Sequence, residues 1–224
     1  MTDSARRTGR PRSAAADRAI LDATRSALVE LGWGGLTMGG VAVRAGVAKT
    51  TLYRRWASKS EMVVDAVAVL FDELELPDLG SLRADFEGVV LSFAALLERP
   101  ETKTALMAVV AEATRDDALR ARIRTAVVER QKHLVVEGCR RAQARGELPP
   151  DAPGPEGTAA ADRAVDLVFD VIAGAVVHRS LVSSEKATPA WARALTALLL
   201  HGLSTIAGPT AESAPDGSGG PVDA

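Results

Sequence analysis

One stretch constrains the fold of this chain more than any other, the run TMGGVAVRAGVAKTTLYRRWASK from Thr37 to Lys59. Thr37 can cap the start of a short helix, and Gly46 can adopt the left-handed conformation that ends it. Val47 and Leu52 are the next two buried positions, which predicts a second short helix directly after the turn. Two short helices joined by a tight turn form a helix-turn-helix, whose second helix enters the major groove in DNA-binding examples. A simple hairpin of two helices is the alternative.

The second helix of this motif exposes side chains that suit DNA. Lysine and arginine bind phosphates and guanine edges, hydroxyl groups bind phosphates, and threonine methyl or aromatic surface contacts thymine. Ser58 and Glu61 then form a capping box, so a further helix starts directly behind and places Lys59 near a helix N-terminus, where a phosphate binds well. The DNA-contacting side chains predicted for this region are Thr37, Lys49, Thr50, Thr51, Tyr53, Arg54, Arg55 and Lys59.

The run GVAKTTLYRRWASK, followed by a long helix, resembles the hallmark of the tetracycline-repressor (TetR) family of bacterial transcription regulators. The match is dense from Ile20 to Met62, and a later RGEL sequence from Arg145 to Leu148 is similar to a TetR-type regulatory domain. Ala48 stands where relatives usually carry a capping Ser or Thr, and Gly39 with Gly40 replaces larger residues. The resemblance implies an all-α fold, with an N-terminal three-helix helix-turn-helix DNA-binding domain and a C-terminal helical ligand-binding and dimerisation domain.

The distribution of charge agrees with a DNA-binding head. Residues 1–60 contain 11 Lys/Arg and 4 Asp/Glu, whereas residues 61–224 contain 16 and 25, so the head carries +7 and the remainder −9. Such asymmetry attracts polyanions to one small part of the chain. A hydrophobic fraction of 47% with only 4% aromatic residues is typical of a soluble, mostly helical protein of one or two domains.

The sequence carries no sign of secretion or of a membrane segment. Cys139 is the single cysteine, which excludes an intrachain disulfide. The N-terminus lacks an apolar leader, and no stretch approaches the ~18 apolar residues that span a bilayer. These features predict a cytoplasmic protein.

The N-terminal residues include the run RRTGRPR, in which arginines surround a Gly-Arg-Pro core. Such a core resembles the AT-hook, a short extended segment that lies in the minor groove of A·T-rich DNA. Proline keeps the preceding Arg10 extended. We therefore predict a flexible basic arm over residues 1–12, in which Arg10 and Arg12 contact DNA. A solvated charged tail is the alternative.

Hydrophobic periodicity predicts helices throughout the rest of the chain and no strands. The first helix is expected to begin at Ser13 or Asp17 and to end at Gly32. A fourth helix is expected from Lys59 to Leu76, before a proline, and it links the head mechanically to the rest of the chain. The later helices are predicted at 81–98, 101–114, 116–145, 161–182 and 189–206.

These elements predict three further parts of the chain after the arm. Residues 13–60 form the DNA-binding domain, and residues 61–207 form a regulatory and dimerisation domain. Residues 208–224 have the composition of a disordered tail.

The last two predicted helices are apolar over most of their circumference. A helix that is hydrophobic all round must be buried all round, and a small domain supplies one central core helix but hardly two. We therefore predict that both form a dimer interface, a four-helix bundle across a two-fold axis, as the family resemblance also implies. The residues assigned to this interface are Phe169, Val176, Leu195 and Leu198.

Large or adaptable apolar side chains lie on several predicted helices, whereas few polar groups fall among them. Small-molecule sites commonly combine apolar walls with one or two orienting polar groups. We predict a ligand pocket formed by Phe71, Phe93, Met107, His133, Phe169 and His178. Each of the large apolar residues could instead fill an ordinary core.

The sequence lacks the common catalytic motifs, including a phosphate-binding loop, HExxH, CxxC and a nucleophile elbow. A metal site formed by His133, Cys139 and His178 is not supported by their spacing. We therefore predict no cofactor and no enzymatic activity. An enzyme on this scaffold would need a convergent catalytic constellation, which a turnover assay would reveal.

These observations together predict a dimeric transcription regulator of the repressor type. It would bind a near-palindromic double-stranded DNA operator through two heads, and a small-molecule effector would release it. The alternative is a constitutive DNA-binding protein that needs no ligand.

Overall fold

The computed structural model describes the backbone of residues 11–206 and the side chains of residues 14–203. This part of the chain contains ten α-helices and no strand, which confirms the all-α prediction. Two five-residue π-helical segments, Arg124–Val128 and His178–Val182, follow the seventh and ninth helices. The helices are α1 (Pro11–Gly35), α2 (Met38–Arg44), α3 (Lys49–Tyr53), α4 (Lys59–Phe71), α5 (Leu82–Leu97), α6 (Pro100–Ala113), α7 (Asp117–Ile123), α8 (Glu129–Ala144), α9 (Gly154–Val177) and α10 (Pro189–Ile206).

The helix-turn-helix forms through the capping groups that its sequence provides. Thr37 Oγ1 accepts the Gly40 N–H at 3.0 Å and starts α2, and Gly46 turns the chain with a φ of 65°. Val41 and Leu52, one from each short helix, are fully buried in the same core as the inner face of α1. The predicted motif is therefore present with its predicted turn.

The first helix begins earlier than either predicted residue. Pro11 occupies its first position, where proline is tolerated because that N–H has no partner within a helix. The helical geometry breaks at Gly32, the predicted end, with φ 65° and ψ −177°. Arg10 and the tail at 208–224 lie outside the described residues, as does the side chain of Arg12, so their assignments stay predictions.

The fourth helix is shared by the head and the helical domain. Its capping box forms, because Ser58 Oγ accepts the Glu61 N–H at 3.1 Å and Glu61 Oε2 accepts the Ala57 N–H at 3.1 Å. Nine of its thirteen residues are buried. The helix packs against α1 of the head and against α6 and α7 of the helical domain. No flexible linker separates the two parts.

This helix ends at Phe71, so the prediction that it continues to Leu76 is wrong. The carbonyls of Leu76 and Pro77 accept hydrogen bonds from Arg141 Nη1 of α8 at 3.2 and 3.3 Å. Leu76 is also buried, in the core. The tertiary contacts of this non-helical segment therefore outweigh its local helix propensity.

Two other predicted boundaries also differ from the structure. The single helix predicted at 116–145 is divided by the π-helical segment between α7 and α8. α9 starts at Gly154 rather than at Ala161, because Pro155 is accommodated in its first turn instead of ending a loop. The bounds of α10, in contrast, match the predicted 189–206.

The RGEL sequence directly after α8 binds the start of α5 through hydrogen bonds and ion pairs. Asp85 is fully buried, and its carboxylate accepts the Leu79 N–H at 2.7 Å and pairs with Arg145 Nη2 at 3.1 Å. Glu147 Oε2 accepts the Leu82 N–H at 2.8 Å, and Glu147 also pairs with Arg145. The hydrogen bond from Leu82, and then the guanidinium, lower the pKa of Glu147.

Replacing Glu147 with Gln should lower the free energy of unfolding at pH 7 by about 1 kcal/mol. Because the folded-state pKa is lowered, the carboxylate stabilises the fold above its unfolded pKa of about 4.3, and this contribution is lost as the pH falls through the folded pKa. The unfolding free energy of E147Q should therefore fall less on acidification below about pH 5 than that of the wild type.

Chemical denaturation of both proteins across this pH range measures the difference. Glu75→Gln, which removes an exposed carboxylate, serves as the charge-matched control. An E147Q variant with the pH dependence of the wild type would contradict this role of Glu147.

Candidate DNA interface and ligand cavity

The outward side of α3, together with the residue that follows it, carries four of the predicted DNA-contacting side chains. Lys49, Thr50, Tyr53 and Arg54 are all exposed, whereas Leu52 between them is fully buried. α3 is only five residues long, so these side chains share one small surface. That surface offers cations, hydroxyl groups and an aromatic ring, which are the groups that bind phosphates and base edges.

Lys49 lies across α2 at Gly39. A Cβ added to Gly39 would lie 3.0 Å from Lys49 Cε and 3.2 Å from Lys49 Nζ, closer than ordinary van der Waals contact. Gly39 itself offers no side chain to DNA, and its small size leaves room for the lysine beside it.

The other predicted residues of this region make contacts within the head. Arg55 forms an ion pair with Asp17 of α1. Lys59 Nζ donates to the Trp33 carbonyl at 3.1 Å and lies 4.1 Å from the centre of the Trp33 ring. These contacts hold the chain that follows α3 against α1. The last two predicted residues are threonines. Thr37 caps α2, and Thr51 is half-buried on α3.

A carboxylate on α4 joins the head to α7. Trp56, which follows α3, is 5% exposed, and its Nε1 donates to Asp65 Oδ2 at 2.8 Å. The Arg122 guanidinium binds the same carboxylate, at 2.6 Å to Oδ2 and 3.1 Å to Oδ1. Ser60 in the first turn of α4 also hydrogen-bonds to Glu112 of α6. Polar contacts, as well as the continuous helix α4, therefore connect the two parts of the chain.

An apolar cavity of about 60 Å³ lies within the helical domain. Its walls bring together three of the predicted pocket residues, Phe71 from α4, Phe93 from α5 and Phe169 from α9. The rings of Phe71 and Phe93 have centres 5.9 Å apart and are tilted by 56°. Val127, in the π-helical segment after α7, also lines the cavity.

Phe86 and Gln131 line this cavity too, although neither is in the predicted set. Phe86 lies seven residues before Phe93, two helical turns along the same face of α5, and this spacing is the signal that could have revealed it. Gln131 gives no such signal, because it lies among charged residues in the sequence of α8. Only the packing of α8 turns it inward.

The structure places the other three predicted pocket residues outside this cavity, which corrects their assignment. Met107 is 52% exposed, because α6 turns Ala105 and Val109 inward instead. His133 borders an open polar groove beside the cavity, and His178 is exposed at the end of α9.

The outward sides of α9 and α10 expose large apolar side chains in the single chain. Leu167 is 46% exposed, Val171 38% and Leu198 74%. Exposed apolar side chains mark a contact with another protein when they form a contiguous patch.

Two residues predicted at the dimer interface belong to the interior of the single chain. Val176 is fully buried, so it has no surface for a partner to cover, and its assignment to the interface is corrected. Phe169 faces the cavity described above. Leu195 is half-buried against the core, so its exposure is intermediate between that of the buried Val176 and that of the exposed Leu198.

The described residues contain no group of three or more His, Cys, Asp or Glu side chains that could hold a metal ion. Burial raises the pKa of the Cys139 thiol, which disfavours the thiolate form that metals bind. Within residues 11–206, none of the helices is long and apolar enough to cross a membrane.

Comparison with known proteins identifies relatives of both parts of the chain. A family model of bacterial regulatory proteins of the tetR family matches residues 20–66, and a model of the tetracyclin repressor-like C-terminal domain matches residues 76–199. YdeS of Bacillus subtilis, described as an uncharacterized HTH-type transcriptional regulator, is 26% identical over 192 residues, which cover 84% of this chain and 89% of YdeS.

Solved structures show the same fold. The TetR family transcription regulator SCO0332 is 30% identical with a TM-score of 0.67, over 84% of this chain and 97% of SCO0332. FadR of Bacillus subtilis, solved in complex with stearoyl-CoA, is 17% identical with a TM-score of 0.56, over 83% of this chain and 98% of FadR. The exposed basic helix, the caps of the helix-turn-helix and these matches lead to one conclusion: the chain belongs to the TetR family of DNA-binding, helix-turn-helix transcriptional regulators.

Proposed function

We propose that the protein is a homodimeric repressor that binds a near-palindromic double-stranded DNA operator and is released by a small-molecule effector. The observation that supports this proposal most directly is that one buried helix, α4, adjoins both functional surfaces. Its N-terminus follows the exposed basic surface of α3, and Phe71 at its other end lines the apolar cavity. A ligand in the cavity therefore contacts the helix that carries the head.

On the operator, α3 enters the major groove. Lys49 and Arg54 bind guanine edges, while Thr50 and Tyr53 contact thymine methyl groups or phosphates. The contacts proposed to phosphates and to the minor groove come from Thr37, Thr51, Arg55, Lys59, Arg10 and Arg12.

The dimer forms through the apolar outward sides of α9 and α10. The exposure of Leu167, Val171 and Leu198 supports this arrangement. Two copies of this helix pair form a four-helix bundle across a two-fold axis. The two heads then enter major grooves that lie one helical turn, or a multiple of it, apart on the DNA.

Release from DNA starts where the cavity meets the π-helical segment. Val127 of this segment lines the cavity, and Arg122 lies five residues earlier on α7. Arg122 shares the Asp65 carboxylate with Trp56, the residue that follows the recognition segment. Because π-helical turns often occur at functional sites, we infer that a ligand displaces α7 at this point and alters the packing of Trp56. A small change in head separation then prevents both heads from entering their grooves.

A relative with this fold supports a ligand-binding role for the helical domain. FadR of Bacillus subtilis was solved in complex with stearoyl-CoA. A constitutive DNA-binding protein remains the competing function. It would follow if no ligand that occupies the cavity changed the affinity for the operator.

Selection from a random DNA pool should yield a near-palindromic operator. On this operator, Arg54→Ala or Lys49→Ala should relax discrimination at particular base pairs by about 1–3 kcal/mol, because a base-edge contact is lost. Titrations of operators with single base-pair changes measure this effect. Lys103→Ala, which removes an exposed cation from α6, is the charge-matched control. Equal losses on every sequence would show that Lys49 and Arg54 bind only phosphates.

Leu198→Asp should convert the dimer into monomers, because an unpaired charge in an apolar interface costs several kcal/mol. Val110→Asp places the same charge at a 50% exposed apolar position on α6 and should leave the dimer intact. Sedimentation velocity reports the mass, and circular dichroism verifies the fold of both variants. A folded, dimeric L198D variant, or a wild-type monomer at micromolar concentration, would refute the interface.

A further inference from the structure

The cavity wall contains one polar side chain, and its hydrogen bonding is incomplete. Gln131 of α8 is 5% exposed, and its Oε1 has no hydrogen-bond partner among the described residues. The other residues that line the cavity within the described part of the chain are all apolar, and four of them are phenylalanines. A ligand in the cavity therefore meets a single polar group.

A buried amide oxygen without a partner destabilises the protein, because it has lost its hydrogen bond to water and gained none in return. A ligand that brings a hydroxyl or a ring N–H can supply the missing hydrogen bond. A ligand whose polar atoms only accept hydrogen bonds cannot satisfy Gln131 Oε1. The unpaired Oε1 therefore favours a ligand with a donor, although the Nε2 group of the same amide can donate to an acceptor.

The composition and size of the cavity restrict the rest of the ligand. No ionisable side chain lies among the described residues of its wall, so a charged ligand group would lose its hydration without gaining a counter-ion. Its volume of about 60 Å³ is well below the roughly 300–1,000 Å³ of sites for drug-sized molecules. The four phenylalanines offer ring faces and edges against which a planar apolar molecule packs.

We propose that the cavity binds a compact, neutral, mainly apolar ring compound with one hydrogen-bond donor, and that Gln131 accepts this hydrogen bond. This ligand class rests on the proposed role of the cavity as the effector site. Gln131 is then the residue that determines specificity, while the phenylalanines provide apolar contact area.

The polar groove beside the cavity suggests a different ligand, which serves as the competing outcome. Gln131, Leu74 and Leu134 line both spaces. An amphipathic ligand could place a charged group in the groove and a hydrocarbon part in the cavity. Four ionic groups of the groove are already paired, however, since Asp72 pairs with Arg130 at 2.6 Å and Glu137 with Arg141 at 2.8 Å. A charged ligand would have to compete with these contacts, so we favour the neutral one.

Calorimetric titration of the purified full-length protein, without DNA, tests the ligand class with two probes of similar shape. Indole carries a ring N–H, whereas indene has no such donor. We expect wild-type protein to bind indole about 3- to 10-fold more tightly than indene, and Gln131→Leu to bind the two equally. Benzoate and benzylammonium, as charged ring compounds, should bind at least about 10-fold more weakly than indole.

Two further variants locate the binding site. Ala173→Leu fills the cavity with a larger apolar side chain and should abolish binding of both probes. Met107→Leu, on the exposed side of α6, should leave both affinities unchanged. Thermal unfolding of each variant verifies that it is folded before its affinity is compared.

Several results would overturn the proposal. The proposal fails if indene binds the wild type as tightly as indole, or if the charged probes bind more tightly than indole. It also fails if the Gln131→Leu variant keeps the preference for indole, or if indole does not bind at millimolar concentration. Since these titrations contain no DNA, a failure here is distinct from a failure of operator recognition, which the selection from random DNA measures separately.

Discussion

The hydrogen bonds of the Asp65 carboxylate connect the DNA-binding head to the helical domain. The carboxylate accepts hydrogen bonds from the Trp56 indole at 2.8 Å and from the Arg122 guanidinium at 2.6 Å. One donor belongs to the head and the other to α7, so each holds the carboxylate in the position that the other needs. Because α4 is buried along most of its length, the proposed release mechanism passes a change at α7 to the head through this helix rather than through a loop.

The cations in α3 and directly after it fall into two groups with different surroundings. Arg55 pairs with Asp17 and Lys59 binds Trp33, and both contacts hold the chain after α3 against α1. Lys49 and Arg54 are exposed on the surface that we propose binds DNA. A recognition surface that is already ordered loses less conformational entropy on binding, which favours affinity for the operator. The formal charge of the head therefore overstates the number of side chains that read bases.

Local chemistry made the helix-turn-helix predictable from the sequence. Thr37, Ser58 and Asp116 each cap a helix through a side-chain oxygen within hydrogen-bonding distance of a backbone N–H three residues later. Such caps depend on neighbouring residues alone, so the sequence contains all the information that they need. The same reasoning applies to the turn at Gly46, whose left-handed φ is a property of one residue.

The cavity was only partly predictable, because its composition depends on which face of each helix packs inward. Met107 is as apolar as its neighbour Val109, yet the packing of α6 buries Val109 and exposes Met107. The one polar side chain in the described cavity wall is Gln131 rather than a histidine, because the fold buries this glutamine within a polar stretch of α8. The end of α4 at Phe71 was also not predictable, since the segment after it makes contacts with Arg141, which is distant in sequence.

Communication between the cavity and the recognition helix is tested most directly by measuring operator affinity with and without saturating indole. The measurement compares wild type with Asp65→Asn and with Asp72→Asn, which breaks an ion pair to Arg130 at the end of α4 opposite the head. We expect indole to weaken operator binding about 5- to 150-fold in wild type and in Asp72→Asn, and much less in Asp65→Asn. A wild-type operator affinity that indole leaves unchanged, or an Asp65→Asn variant with the full wild-type response, would contradict this coupling.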